Sequence, residues 1–502
     1  MEESYFMNWF VTIGGIAYNL IIIFVVYAFI RWKQSKTGVE DDFVLSSRKL
    51  PWLAVAATQA LTALGGGHIN GLAFQSWNTG IATIWYCIGT GFMFIIILRF
   101  NGIWYRRFGC VTLNDMFGKM FHPILMPILG GVGIGYCWGI LCVETQGLAT
   151  VISSLTGLSN LTGAIIGALT GILYVYLAGM KEIGYVNIVN ASLMYLFGII
   201  MLVYLNFATP EGWAGINNNI LANNPDLLTV LGNPEILRTY VIGTFLACAL
   251  GLNMAQANIQ SAAAVENVQV LRRACTAAIP MNVLFGVIIL GLGLAAMALP
   301  EPAATGNGAA GVVVLTLTYM PGWLQICVIG VFLAAMLSTV AMVALSLATM
   351  FNRDILSYFP YFKNMSPQKE KTWSRVWIVV GCTSAMLGAV KIQAAVNLGI
   401  TWLFAFLVPL FFIFLIGMLW KRSGKAALLT LGISWFLNLV LTFTNLASVF
   451  HLEGNNYSIF MIILSTVLCF IFTALDKNRK DSFTKVYYKQ RAAYDAARNA
   501  AK

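Results

Sequence analysis

The chain is 502 residues long, 59% hydrophobic and only 10% charged, with a formal net charge of +11. That composition excludes a soluble globular domain and a disordered chain alike. The positive charge would suit a nucleic acid, but it falls in alternate loops between long apolar runs, a pattern of membrane topology that argues against a nucleic-acid partner.

Apolar segments of about 20 residues, enough to cross a bilayer, lie at 8–30, 52–75, 81–98, 124–150, 160–178, 185–206, 239–259, 275–298, 323–350, 375–397, 399–419, 426–446 and 456–475. They predict an all-α polytopic membrane protein of about thirteen transmembrane helices. Arg31, Lys33, Lys36, Arg48 and Lys49 follow the first segment, and Arg99, Arg106, Arg107 and Lys119 follow the third. Lys181, Arg272, Arg273, Arg353, Lys421 and Arg422 continue the alternation, whereas loops 207–236, 299–322 and 447–455 contain no Lys or Arg. With an odd number of spans, this asymmetry predicts a multi-pass plasma-membrane protein with its N-terminus outside and its C-terminus in the cytoplasm. The first segment reads as a retained helix, since no basic residues precede it and no small-residue cleavage site follows. The nine cysteines are scattered within or beside the segments and read as small buried apolar side chains. The basic tail at 477–502 reads as a helix lying at the membrane surface. No G-x-x-x-x-G-K-[ST], H-E-x-x-H or G-x-S-x-G motif occurs, so nothing points to an enzyme.

Two segments carry breaks. The second contains Leu64-Gly65-Gly66-Gly67-His68-Ile69-Asn70-Gly71, where each glycine costs a helix about 1 kcal/mol relative to Ala. The seventh contains Gly251-Leu252-Asn253-Met254-Ala255-Gln256-Ala257-Asn258. Unwound backbone at mid-membrane depth survives only where it is buried in protein or lines a cavity. Breaks at corresponding positions of two halves point to an inverted-repeat transporter with its solute site at the midplane.

The ninth segment holds adjacent hydroxyls, Ser338 and Thr339, behind small residues, and closes with Asn352-Arg353-Asp354, charges suited to a water interface. By spacing alone the commoner explanation is close helix packing. The alternative is a cation site, because hydroxyls and backbone carbonyls supply neutral oxygens to a desolvated hard cation.

Several motifs resemble the sodium/solute symporter family, and together they span most of the chain. Asp41-Asp42-Phe43 through Arg48-Lys49-Leu50-Pro51-Trp52 is similar to the family's lead-in to the first core helix, with Ser47 in place of a glycine. Arg106-Arg107-Phe108-Gly109 with Thr112, Tyr176-Leu177-Ala178-Gly179-Met180-Lys181 and Gly417-Met418-Leu419-Trp420-Lys421-Arg422 resemble three further family motifs. The stretch from Ala334 through Ser338 and Thr339 to Asp354-Ile355 resembles its sodium-site helix.

The resemblance implies a leucine-transporter-type core of five plus five helices in inverted repeat, with the first and sixth core helices broken. It implies an N-terminal extra helix and loop (1–50), a transport core (51–422), two added helices (423–476) and the basic tail (477–502). Na⁺ would sit among the backbone carbonyls of Leu61, Leu64 and Ala335 and the hydroxyls of Ser338 and Thr339. A second family sodium site would need a carboxylate and two hydroxyls where this chain has Asn187, Ala341 and Met342, which implies one Na⁺ per solute. The family's Gln-Arg pair at the end of the sixth core helix stands here as Gln260-Ser261. The implied function is Na⁺-coupled uptake of a small organic solute across the bilayer, with proton coupling or solute sensing as alternatives.

For the solute, the break backbone at Gly66, the side chains of His68, Asn70, Asn253 and Gln256, and Glu144 with Gln146 are the candidates. Glu144 is the one carboxylate deep within a segment and thus a functional candidate. Three readings of it stand: a counter-charge for an amino or ammonium group, a partner of His68, or a protonated group hydrogen-bonded in the bundle. Trp77, Trp85, Tyr136 and Trp138 are candidates for an aromatic cation pocket; the alternative is anchoring at the interface.

Overall fold

The computed structural model describes residues 2–37, 42–63, 66–391, 404–444, 446–450, 452 and 456–500, with the side chains of 2–8, 66–70, 177, 391, 404–405, 442, 456 and 493–500 outside the description. Among the described residues ten helices are long and apolar enough to cross a membrane, and four shorter apolar helices accompany them.

Helix α1 (Glu2–Thr37) turns Phe10, Ile13, Ile21 and Phe24 outward, a lipid-facing surface for which water would be the wrong solvent. Helices α2 (Trp52–Thr62) and α3 (Gly66–Thr79) follow. Gly80 then takes φ +57°, and a Cβ there would lie 1.9 Å from the Leu227 carbonyl oxygen, so only glycine lets the chain turn this close to its neighbour. Helices α4 (Trp85–Arg99) and α5 (Asn101–Phe108) meet at a kink. Next comes α6 (Leu113–Met120), whose first turn is capped by the Thr112 hydroxyl accepting from the Asp115 amide.

Long helices α7 (Leu125–Thr156), α8 (Asn160–Leu177) and α9 (Met180–Ala208) come next, then α10 (Gly212–Asn223). Helix α11 (Pro234–Met254) contains two π-helical turns, Leu237–Val241 and Ala247–Gly251. It gives way at Ala255, in extended conformation, to α12 (Gln256–Ala263). Helix α13 (Val268–Ala298) leads to α14 (Gly308–Tyr319) and α15 (Gly322–Met350). The chain ends with α16 (Pro367–Lys391), α17 (Phe404–Leu419), α18 (Gly424–Phe443), α19 (Asn456–Leu475) and α20 (Phe483–Ala500).

Helix α15 is the axis of the bundle. Every residue from Val328 to Met350 is buried, as expected of a helix that is apolar all round, and α1, α2, α7, α8, α9 and α16 pack around it. Helix α1 reaches it through Asn19, whose Nδ2 donates to the carbonyls of Gly15 and Gly330, both at 2.9 Å.

Several expectations are modified. The loops without Lys or Arg at 207–236 and 299–322 contain helices α10 and α14. The tail does not offer its apolar side to the membrane alone. Phe483 packs edge-on to Phe108 and Tyr487 to Trp104, while strand β1 (Lys421–Arg422) pairs antiparallel with β2 (Lys480–Asp481). The facing ends of the two predicted segments at 375–397 and 399–419 lie outside the described residues.

Candidate functional site

At its inner end α2 presents the Leu61 carbonyl to the middle of α15. The Thr339 hydroxyl donates to that carbonyl at 3.1 Å and lies 3.4 Å from the Ala335 carbonyl, while Ser338 Oγ donates to Ala335 at 2.7 Å. Adjacent residues on a helix diverge, but both hydroxyls fold back on the same carbonyl, one from three and one from four residues along. Four of the five predicted sodium oxygens therefore converge, in a place where Ser338 is fully buried and Thr339 nearly so. Leu64, the fifth, lies outside the described residues.

Four neutral oxygens within hydrogen-bonding reach fit a sodium ion. With no cation, each hydroxyl proton points at a carbonyl; with one, the hydroxyls would turn their lone pairs inward and the carbonyls would be freed. Each hydrogen bond given up costs about 1 kcal/mol, small against direct coordination of a hard cation. Among the described residues no cluster of three or more His, Cys, Asp or Glu side chains could hold a metal.

At the positions aligned with a second ion site, Asn187 is fully buried and donates Nδ2 to Thr58 Oγ1 at 3.2 Å. Ala341 and Met342, both buried, bring no oxygen side chain.

The second break is bound differently. Asn253 Nδ2 donates to the Ala249 and Leu250 carbonyls at 3.0 and 2.7 Å, and Asn101 Nδ2 bonds Asn253 O and Oδ1, both at 2.8 Å. Gln256 reaches the turn between α5 and α6, where Oε1 accepts from the Leu113 amide at 2.9 Å and Nε2 donates to the Val111 carbonyl at 3.2 Å. The cavity beside Gln256, lined by Tyr136, Met254, Phe406 and Trp435, holds about 20 Å³, room for one water molecule.

Glu144 is buried on α7, 3% exposed, with Gln146 half a turn away. The side chains of His68 and Asn70, like Gly66 as a liganding group, lie outside the described residues. The aromatic candidates scatter: Trp77 Nε1 donates to Gly293, Trp85 to Val230 and Trp138 to Ser384 Oγ. Their hydrogen bonds anchor three different pairs of elements.

Sequence reading missed the inner clamp. Asp354, placed at a water interface by its charge, is fully buried, because Thr112 Oγ1 and Asn114 Nδ2 donate to its two oxygens at 2.7 and 2.6 Å. Next to it Arg353 grips Glu370 through two 2.7 Å bonds. Arg48 donates to the carbonyls of Gly109, Cys110 and Ala263, and Arg106 to Val265. Gln260, beside the altered Ser261, bonds Val44 O at 3.0 Å and Thr349 Oγ1 at 3.1 Å. The available signal was the run of polar residues at the α15 terminus, which carried no information about its partners some 240 positions away.

The model of the Sodium:solute symporter family matches residues 43–432. The high-affinity choline transporter 1 of Drosophila melanogaster is 26% identical over 188 residues, which are 36% of this chain and 29% of that protein, so the chain aligns with under a third of that relative's length. The sodium/glucose cotransporter of Vibrio parahaemolyticus is 22% identical over 518 residues, 94% of this chain and 93% of that one. A substrate-bound, outward-open structure of a Na⁺-coupled sialic acid symporter superposes with a TM-score of 0.78 at 14% identity, covering 95% of this chain and 98% of that one. The last likeness is one of fold.

Proposed function

The chain belongs to the sodium:solute symporter family, and on that premise we propose that it is a secondary transporter coupling inward flow of one Na⁺ to uptake of a small organic solute by alternating access. The observation that carries this reading is the contact across the first break: Thr339 Oγ1 on Leu61 O at 3.1 Å, with Ser338 Oγ on Ala335 O beside it. A coupling ion here ties the broken helix to the axial helix α15, so its binding and release bias how the two pack. The architecture that goes with this is a five-plus-five inverted repeat at 51–422 within about thirteen spans. An extra helix precedes it at 1–50, two follow at 423–476, and the tail at 477–502 lies on the cytoplasmic side, with the N-terminus outside.

One ion suffices for useful accumulation. A membrane potential of −100 mV supplies about 2.3 kcal/mol per charge and a tenfold sodium gradient about 1.4. Their sum limits a neutral solute to a gradient of several hundredfold. A single stoichiometry is supported by Asn187, Ala341 and Met342, which offer neither a carboxylate nor a hydroxyl. For the solute, Glu144, buried at 3% exposure in mid-helix, is the proposed contact for an amino- or ammonium-bearing molecule, an intramembrane carboxylate being a functional candidate. Gly66, His68, Asn70 and Gln146 complete the proposed surroundings, while Asn253 and Gln256, also candidates by sequence, spend their amides on hydrogen bonds at the second break.

The test is uptake into proteoliposomes with sodium replaced by N-methylglucamine at fixed pH. Wild type is expected to lose uptake with sodium and to show a sodium Hill coefficient near one. Ser338→Ala and Thr339→Ala are expected to abolish the sodium-stimulated part while reconstituting normally. Sodium dependence unchanged in both variants overturns the site, and uptake that follows a proton gradient instead overturns the coupling ion.

A further inference from the structure

The outward surfaces of α8 and α16 form a lipid-facing groove with a cation at one end. On α8, Leu161, Ile165, Leu169, Leu173 and Tyr176 are exposed at steps of three and four residues, one continuous stripe. On α16, which packs beside it, Val376, Val380, Leu387 and Val390 form a second stripe. The α8 stripe ends at Tyr176, next to the helix terminus, and the Arg375 guanidinium lies over that ring, 4.9 Å from its centroid. Just beyond α8, Lys181 marks the same side of the membrane.

Arg375 differs from other cations of the chain. Arg353 is paired with Glu370, Lys421 with Asp481, Lys119 with Asp115, and Arg48 with three carbonyls. Among the described residues, nothing accepts a hydrogen bond from Arg375; its Nε is buried without a partner, and its guanidinium rests on the tyrosine ring. A guanidinium at the head of two apolar ridges wants a bidentate oxyanion, and at that depth the oxyanions are lipid phosphates.

We propose that Arg375 and Tyr176 form the headgroup site for one anionic phospholipid, whose acyl chains lie along the groove between the Leu169–Leu173 and Val376–Val380 ridges. Charge complementarity selects the occupant: the ridges suit any acyl chain, whereas Arg375 favours a lipid with net negative charge over a zwitterionic one. The site lies away from the sodium oxygens and requires no particular solute.

The test is lipid retention by the purified full chain in nanodiscs of mixed phosphatidylcholine and phosphatidylglycerol, counted by native mass spectrometry. Wild type is expected to prefer phosphatidylglycerol about fivefold at one position, the factor a single basic residue gives at an anionic surface. Arg375→Gln is expected to lose that preference, Arg375→Lys to keep most of it, and Lys425→Gln, an exposed cation elsewhere, to leave it unchanged. Equal retention by Arg375→Gln and wild type overturns the proposal, as does an equal loss in Lys425→Gln, which would indicate a diffuse basic belt. Displacement of phosphatidylglycerol by millimolar inorganic phosphate would make the site one for free anions and overturn the lipid assignment. Because the readout is binding, it stands or falls separately from transport.

Discussion

The end of α2 at Thr62 and the turn at Ala255 differ in how their polar groups are committed. At the first, hydroxyls on α15 bond carbonyls that also have lone pairs to spare, and in the proposed function these bonds give way to an ion at a cost of about 1 kcal/mol per bond. At the second, both ends of the Asn253 and Gln256 amides are engaged, Gln256 on two backbone groups and Asn253 on two backbone carbonyls and the Asn101 side chain. Similar sequence signals, a glycine followed by polar residues, thus yield an exchangeable site in one place and a structural splice in the other. The difference lies in chemistry: a hydroxyl can donate or accept by rotating, whereas an amide in a two-sided grip cannot turn without losing both bonds.

That contrast can be broken in graded steps. The largest effect is expected at the exchangeable break, where Ser338→Ala or Thr339→Ala should remove sodium-stimulated uptake while thermal stability falls little. Asp354→Ala should do the reverse. It strips two charge-assisted bonds from Thr112 and Asn114 in a fully buried place, an expected loss of about 3 kcal/mol, read as a lowered unfolding temperature in detergent. A variant as stable as wild type would show that the inner clamp is idle. Gln256→Leu should cost about 1–3 kcal/mol by leaving Val111 O and Leu113 N unpaired, with sodium-induced thermal stabilisation kept. Loss of that stabilisation would make the second break part of the ion site.

The smallest effect is expected at the tail. Hydrogen bonds from Lys421 and Lys485 hold the Asp481 carboxyl down at about 2, from an ordinary 3.8. A depressed carboxyl stabilises the folded arrangement above its unfolded value and loses that contribution as pH falls. The clasp between β1 and β2 should therefore hold above pH 3.8 and weaken from there down towards pH 2. In the full-length protein, the tail's deuterium uptake should rise over that window in wild type and be insensitive to it in Asp481→Asn.

Much of the fold was legible because the bilayer is a severe solvent: apolar runs of about 20 residues have few other uses. The proposed sodium oxygens had a narrower signal. Ser338, Thr339 and Ala335 lie within five residues, so a single motif carries them, while Leu61 and Leu64 had to come from a distant segment. The inner clamp was not legible. Asp354 carries the same charge whether it meets water or two donors from α6, and sequence position does not say which. Helices α10 and α14 went unread because their loops were judged by charge, which reports topology and not conformation.

From the sequence by itself came the class of the protein, the alternation of its loops and the identity of the residues able to hold an ion, all properties of local composition and spacing. Only the tertiary structure decided which polar groups are spent on one another. Hydrogen-bond satisfaction in a buried interior is settled by partners far apart in the chain. Thus Gln256 is tied to Leu113 and Val111, and Asp354 to Thr112 and Asn114, while Arg375 rests on a tyrosine ring and its Nε finds no acceptor among the described residues.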